Sequence, residues 1–189
     1  MRERLRLFVA VDLPPEVRDA LAAWAESAAP PAMRRVPAEN LHLTLAFLGS
    51  RSNENVNAVA ALLPDLAAPV GLLRTEGALW LPPRRPGVLS VALGASDGLV
   101  ALHAAVVSAL RDAVGYEPDH PRFRPHVTVG RVRRGATMRG AELPPPPAVF
   151  FAAEALTLYS SVTGPGGSVY APLARVALGG GAGPGEQHR

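Results

Sequence analysis

From Asn40 the chain reads Asn40, Leu41, His42, Leu43, Thr44, Leu45, Ala46, Phe47, Leu48, and Gly49 and Ser50 follow. An apolar run of this length, closed by a glycine, predicts a β-strand. Alternate residues of a strand share a face, so His42, Thr44 and Ala46 are expected on one side and Leu43, Leu45 and Phe47 on the other. The leucine side would pack, and the histidine side would look into something polar.

The pattern returns at Arg124, Pro125, His126, Val127, Thr128 and Val129. Here His126, Thr128 and Gly130 take one face and Val127 and Val129 the other. The surroundings repeat as well. Leu5, Leu7, Val9 and Val11 alternate as a strand, and Pro14 and Pro15 open a helix carrying Val17, Leu21, Trp24 and Ala28, which Pro30 and Pro31 end. Val88 to Leu93 is the corresponding later strand. It is followed by a cap at Ser96 or Asp97, a helix with Leu99, Leu102, Val106 and Leu110, and Gly115 as its stop. Leu7 stands ahead of His42 by nearly the same length of chain as Leu89 stands ahead of His126. Two copies of a strand, helix, strand unit are implied, each ending on a histidine and threonine strand.

Between the copies, a helix is expected from Ser52 or Asn53 through Val56, Ala60 and Leu63 to a break at Pro64, and then a strand over Leu72–Leu81. Pro82 to Pro86 forms a turn, and Arg133 to Pro147 a loop with polyproline character. Strands over Val149–Ser160 and Ser168–Leu178 are expected to pair as a hairpin across Thr163 to Gly167. The predicted class is α+β, a bilobal pseudo-twofold duplication with antiparallel sheets lining a central cleft. Residues 1–178 form one domain in this reading, and the glycine-rich stretch 179–189 is expected to be disordered.

The 189 residues are 48% hydrophobic, enough for a sizeable core. There is no cysteine, which removes disulfides, thiolate catalysis and cysteine-ligated zinc. Lysine is absent too, which excludes lysyl-nucleotide ligases, Schiff-base enzymes and P-loop nucleotide hydrolases. The net charge of +3 is carried by arginine, whose planar fork suits phosphate oxygens, although a genomic compositional bias is the main explanation of the choice. The first apolar run is cut by Asp12, Pro14 and Pro15, so no signal peptide core is expected there, and no apolar stretch is long enough to span a bilayer. A soluble, cytoplasmic monomer is expected.

Two histidines and two threonines brought to one cleft suit displacement at phosphorus. Attack and departure are in line, so one group must take a proton while another delivers one, and imidazole serves either role near neutrality. Threonine hydroxyls beside each ring can donate to the nonbridging oxygens. A metal reading, with two histidines and a carboxylate, lacks an acidic residue alternating with either histidine.

These motifs resemble the two-histidine phosphoesterase superfamily, specifically the bacterial and archaeal RNA 2',3'-cyclic phosphodiesterases, also called 2'-5' RNA ligases. The resemblance rests on both histidine stretches and on Arg6 to Val11, Glu39 to Gly49, Pro83 to Pro86, Arg122 to Arg131 and Tyr159 to Pro172. It implies hydrolysis of an RNA terminal 2',3'-cyclic phosphate to a 2'-phosphate without metal or other cofactor. It also implies that some relatives join or cleave 2'-5' linkages reversibly without ATP. By the same resemblance His42 is the acid protonating the departing 3' oxygen and His126 the base activating water, although pseudo-symmetry makes the two interchangeable on the sequence alone.

Thr44, Thr128 and Arg131 are expected at the phosphate. Strict alternation puts Arg131 on the wrong face, so its role requires a bulge or a strand end near Gly130. Phe8 and Tyr159 could stack on a terminal base or simply pack in the core. Arg84, Arg85, Arg122 and Arg124 could form a basic rim for the RNA backbone or a solvated surface. His103 and His120 are assigned no role. Two further readings stay open: a phosphodiesterase for small cyclic nucleotides or ADP-ribose cyclic phosphate, and a noncatalytic RNA-binding module.

Overall fold

The computed structural model describes residues 4–120, 122–164 and 167–179. The glycine-rich stretch expected to be disordered lies, from residue 180 on, outside the described residues, as do the two residues at the tip of the last hairpin. Nine strands and three α-helices follow one another as β1 (Arg4–Asp12), α1 (Pro15–Ala28), β2 (Met33–Arg35), β3 (His42–Ser52), α2 (Asn53–Leu66), β4 (Leu72–Leu81), β5 (Val88–Leu93), α3 (Asp97–Val114), β6 (His126–Val132), β7 (Phe150–Ala152), β8 (Ala155–Gly164) and β9 (Gly167–Ala177), with one 3-10 turn over Ala38–Asn40. The mixed α+β duplication expected from the sequence is the fold observed.

The strands form one antiparallel sheet in the order β7-β4-β5-β6-β3-β1-β8-β9, with β2 beside β6. The histidine strands β3 and β6 therefore meet at its centre, each flanked by the first strand of its own unit, β1 and β5. Leu43 pairs with Val127 between β3 and β6, and β2 of the first unit adds a short ladder to β6 through Met33, Arg34 and Arg35. Leu43 and Val127 are fully buried.

The helices tie the units together. Val17, Leu21 and Trp24 are the buried face of α1, which packs on β6 of the other unit, while α3, buried through Leu99, Leu102, Val106 and Leu110, reaches across to β3. One continuous hydrophobic cluster results, from Leu7 and Val11 through Leu43 and Val127 to Leu158. Ser52 and Ser96 cap α2 and α3 by accepting from the backbone N–H three residues on, and Gly115 closes α3 at φ 61° in the left-handed region, where glycine carries no Cβ penalty.

Four local expectations are revised. Gly49 and Ser50 do not end the first histidine strand, because they still pair with Leu7 and Arg6 and the strand runs to Ser52. Pro64 does not stop α2; it sits in the last turn, where it gives up only one helical bond. The expected strand over Val149–Ser160 is two, since it breaks between Ala152 and Ala155 and the pieces pair with different partners, β7 with β4 and β8 with β1. The short strand β2 was not anticipated.

Candidate active site

The seam between the units builds the site. Antiparallel pairing of Leu43 with Val127, continued one residue either way, sets His42 across from Thr128 and Thr44 across from His126. All four side chains leave the face opposite the buried seam and line one cleft with Val36, Asn40, Arg131 and Tyr170.

Each imidazole is oriented by the same device. Nδ1 of His42 donates to the carbonyl oxygen of Asn40 at 2.8 Å, and Nδ1 of His126 to that of Arg124 at 2.6 Å, in both cases two residues upstream. A carbonyl can only accept, so Nδ1 carries the hydrogen in the neutral ring and Nε2 keeps a free lone pair. Thr128 is steadied from behind by the fully buried Ser90, with the hydroxyls 3.4 Å apart.

Arg131 reaches the cleft through a bulge of the kind that strict alternation required. On β6, Thr128 pairs with Ser90 and Gly130 with Leu89, so Val129 is an extra residue. The first unit repeats it: Thr44 pairs with Ala10 and Ala46 with Val9, leaving Leu45 extra. Burial along the two strands then matches from the histidines as far as Phe47 and Arg131, which are counterparts. This corrects the placement of Phe47 on the packed face. Phe47 is 42% exposed, with the Arg6 guanidinium 5.3 Å from its ring centroid. Sequence reasoning missed it because alternation was carried straight through the bulge.

The two histidines differ in what stands beside them. In the β1–β3 ladder His42 faces Asp12, whereas in the β5–β6 ladder His126 faces Ala92. Asp12 accepts from Tyr159 Oη at 2.8 Å, Thr157 Oγ1 at 2.9 Å and Arg175 Nε at 2.9 Å. Burial pushes the Tyr159 hydroxyl up, and its bond to Asp12 adds to the shift. The His42 ring is boxed by aromatics, stacked on Phe8 at 4.8 Å with Tyr170 edge-on at 5.3 Å. Loss of hydration in this box pulls the His42 pKa down to about 4, against the opposing pull of the Asn40 carbonyl and the Asp12 charge.

Phe8 is buried at 3% exposure between His42 and Tyr159, 5.1 Å from the latter ring. It holds the His42 ring and presents no face to a base, so the core-packing alternative is the one the structure supports. Tyr159, half-buried, stands in the same stack with its hydroxyl committed to Asp12. Arg84 and Arg85 lie exposed in the turn between β4 and β5, and Arg122 and Arg124 lie exposed ahead of β6; the cleft is lined by other side chains. Of these, Arg124 contributes its carbonyl to His126. His103 stacks on Phe123 at 3.9 Å, away from the cleft. Among the described residues no three histidine, aspartate or glutamate side chains converge as a metal site, and no helix is long and apolar enough to cross a membrane.

The family model described as 2'-5' RNA ligase superfamily matches residues 8–164, a span that takes in both histidine strands. The chain belongs to the 2'-5' RNA ligase superfamily. Within the superfamily, an Escherichia coli protein named RNA 2',3'-cyclic phosphodiesterase is 35% identical over 188 residues, covering 94% of this chain and 99% of that one. A Thermus thermophilus protein of the same name is 32% identical over 188 residues, covering 92% and 90%. Among solved structures, E. coli LigT complexed with 3'-AMP superposes with a TM-score of 0.77 at 36% identity over 93% of this chain and 99% of that one.

Proposed function

We propose that this superfamily member hydrolyses the 2',3'-cyclic phosphate at an RNA end to a 2'-phosphomonoester, with His42 as general acid and His126 as general base. The observation that carries this reading is the convergence of both Nε2 lone pairs with Thr44, Thr128 and Arg131 in one cleft. The relatives named RNA 2',3'-cyclic phosphodiesterase support the substrate.

In the proposed reaction Nε2 of His126 takes a proton from water as its oxygen attacks phosphorus, and the bond to the 3' oxygen breaks as Nε2 of His42 delivers a proton to it. The phosphate stays on the 2' oxygen. Thr44, Thr128 and the Arg131 fork donate to the nonbridging oxygens, where charge gathers. The roles follow from surroundings. His126 has the more exposed setting, open to water, while His42 lies in the aromatic box against which a sugar can rest. His42 is neutral in the free protein, so it takes up its proton with the anionic substrate, whose charge and Asp12 both favour imidazolium. A 5' hydroxyl in place of water would, by the same steps, join two RNAs through a 2'-5' linkage without ATP.

The Phe47 ring, at the position matching Arg131, offers a stacking face for the terminal base. The test is mass analysis of the product from a cyclic-ended oligonucleotide, with enzymatic discrimination of 2' from 3' phosphate. A gain of one water with the phosphate on the 2' oxygen is expected. A 3' phosphate, or no product from pH 5 to 8 despite binding, overturns the reading.

A further inference from the structure

A second cavity opens on the other side of His42. It measures about 250 Å3 and is lined by Asp12, Arg18, Glu39, Tyr159, Tyr170 and Arg175 among others. His42 and Tyr170 belong to both this cavity and the cleft, so a chain whose end reacts at His42 has the cavity as its neighbour.

Charge decides what can enter. Three carboxylates, Asp12, Glu39 and Glu154, face two guanidiniums, Arg18 and Arg175, and burial keeps His42 uncharged. An excess of negative charge disfavours a phosphate. Arg175 is in any case committed to Asp12 and Glu154. Arg18 is different: among the described residues no acceptor takes a hydrogen bond from it, and its Nε is buried without a partner. Glu39, an exposed residue of the lining, likewise makes no hydrogen bond or ion pair among the described residues. An unused cationic fork, an unused carboxylate and the tyrosine rings form a donor, an acceptor and a flat apolar wall.

That combination matches the edge of a nucleobase, which carries ring acceptors and amino or imino donors side by side on a stackable plane. The volume falls below the roughly 300 to 1,000 Å3 of drug-sized ligand sites, and suits one heterocycle. We propose that the cavity behind His42 is a second subsite, taking the base of the nucleotide on the 5' side of the reacting cyclic phosphate. Arg18 donates to a ring nitrogen or carbonyl oxygen of that base, and Glu39 accepts from its amino or imino group. The inference rests on the phosphodiesterase reading above and narrows its substrate to a chain of at least two nucleotides.

Calorimetry on the full-length protein compares three probes: a nucleoside 2'-phosphate, a dinucleotide ending in a 2'-phosphate, and that dinucleotide lacking its upstream base. The intact dinucleotide is expected to bind about tenfold more tightly than the mononucleotide, in line with one stacked base, and the abasic one to fall back to the mononucleotide level. Arg18→Met keeps the alkyl stem, and Glu39→Gln alters an exposed residue. Each is expected to bring the ratio of dinucleotide to mononucleotide affinity towards one. An abasic probe that binds as well as the intact dinucleotide overturns the proposal, as does a ratio unchanged in both variants. Failure of the phosphodiesterase reading shows separately, as absence of hydrolysis of a cyclic-ended dinucleotide by the wild-type protein, and leaves the binding comparison readable.

Discussion

Phe47 and Arg131 occupy the same place in the two halves of the molecule, each turned outward by one extra residue after a histidine and threonine pair. The duplicated backbone thus exposes a flat aromatic in one half and a cationic fork in the other. Phe47→Ala is expected to lower kcat/KM on a base-bearing substrate by about 5- to 100-fold, the range for one stacked base, with the far-UV spectrum unchanged. Steady-state kinetics on a cyclic-ended dinucleotide measure it, and an unaltered kcat/KM removes Phe47 from the site.

His42→Ala and His126→Ala are each expected to cost about 100- to 10,000-fold in kcat, as loss of a general acid or base does. The double variant is expected to be little worse than either single one, because the two groups act in one step. Single-turnover rates on all three proteins check this. Strictly multiplicative losses would mean that the rings act independently.

Arg131→Lys keeps the charge and loses the planar fork. If Arg131 binds two phosphate oxygens at once, the lysine variant recovers only a minor part of the activity lost in Arg131→Ala. Full recovery would reduce Arg131 to a point charge.

The buried His42 links stability to pH. Its pKa is 6.5 in an exposed chain and about 4 in the fold, so between these values the unfolded state binds a proton that the native state refuses. Stability is therefore lost as pH falls from 6.5 towards 4, by about 3 kcal/mol at the low end. Denaturant titrations at pH 7 and pH 4.5 are expected to show this loss, and His42→Gln to lessen it.

Asp12 receives hydrogen bonds from Thr157, Tyr159 and Arg175, and its side chain is only 12% exposed. Asp12→Ala strands the Thr157 and Tyr159 hydroxyls and is expected to destabilise the fold by about 3 kcal/mol. Thermal unfolding reads that loss directly.

Much of this architecture was legible in the residues. The repeated histidine and threonine pairs located both central strands, and the cap and stop residues of α3 delimited it, because these signals are local. What failed was the period-two rule beyond Thr44, since a bulge leaves no mark in composition, and only the demand that Arg131 reach the cleft hinted at one. The partners of His42 were hidden for another reason. Asp12 stands at the end of β1, and Tyr159 and Tyr170 stand on the hairpin of β8 and β9 far along the sequence from it and from His42, so only the order of strands in the sheet makes them neighbours.

That strand order also sets a timetable for synthesis. His42 leaves the ribosome well before the tyrosines and the arginine that enclose its surroundings, which stand on the hairpin of β8 and β9. A chain halted before Tyr159 carries the imidazole and Phe8 but lacks Tyr159, Tyr170 and Arg175, so the surroundings of His42 are completed only by segments made long after it.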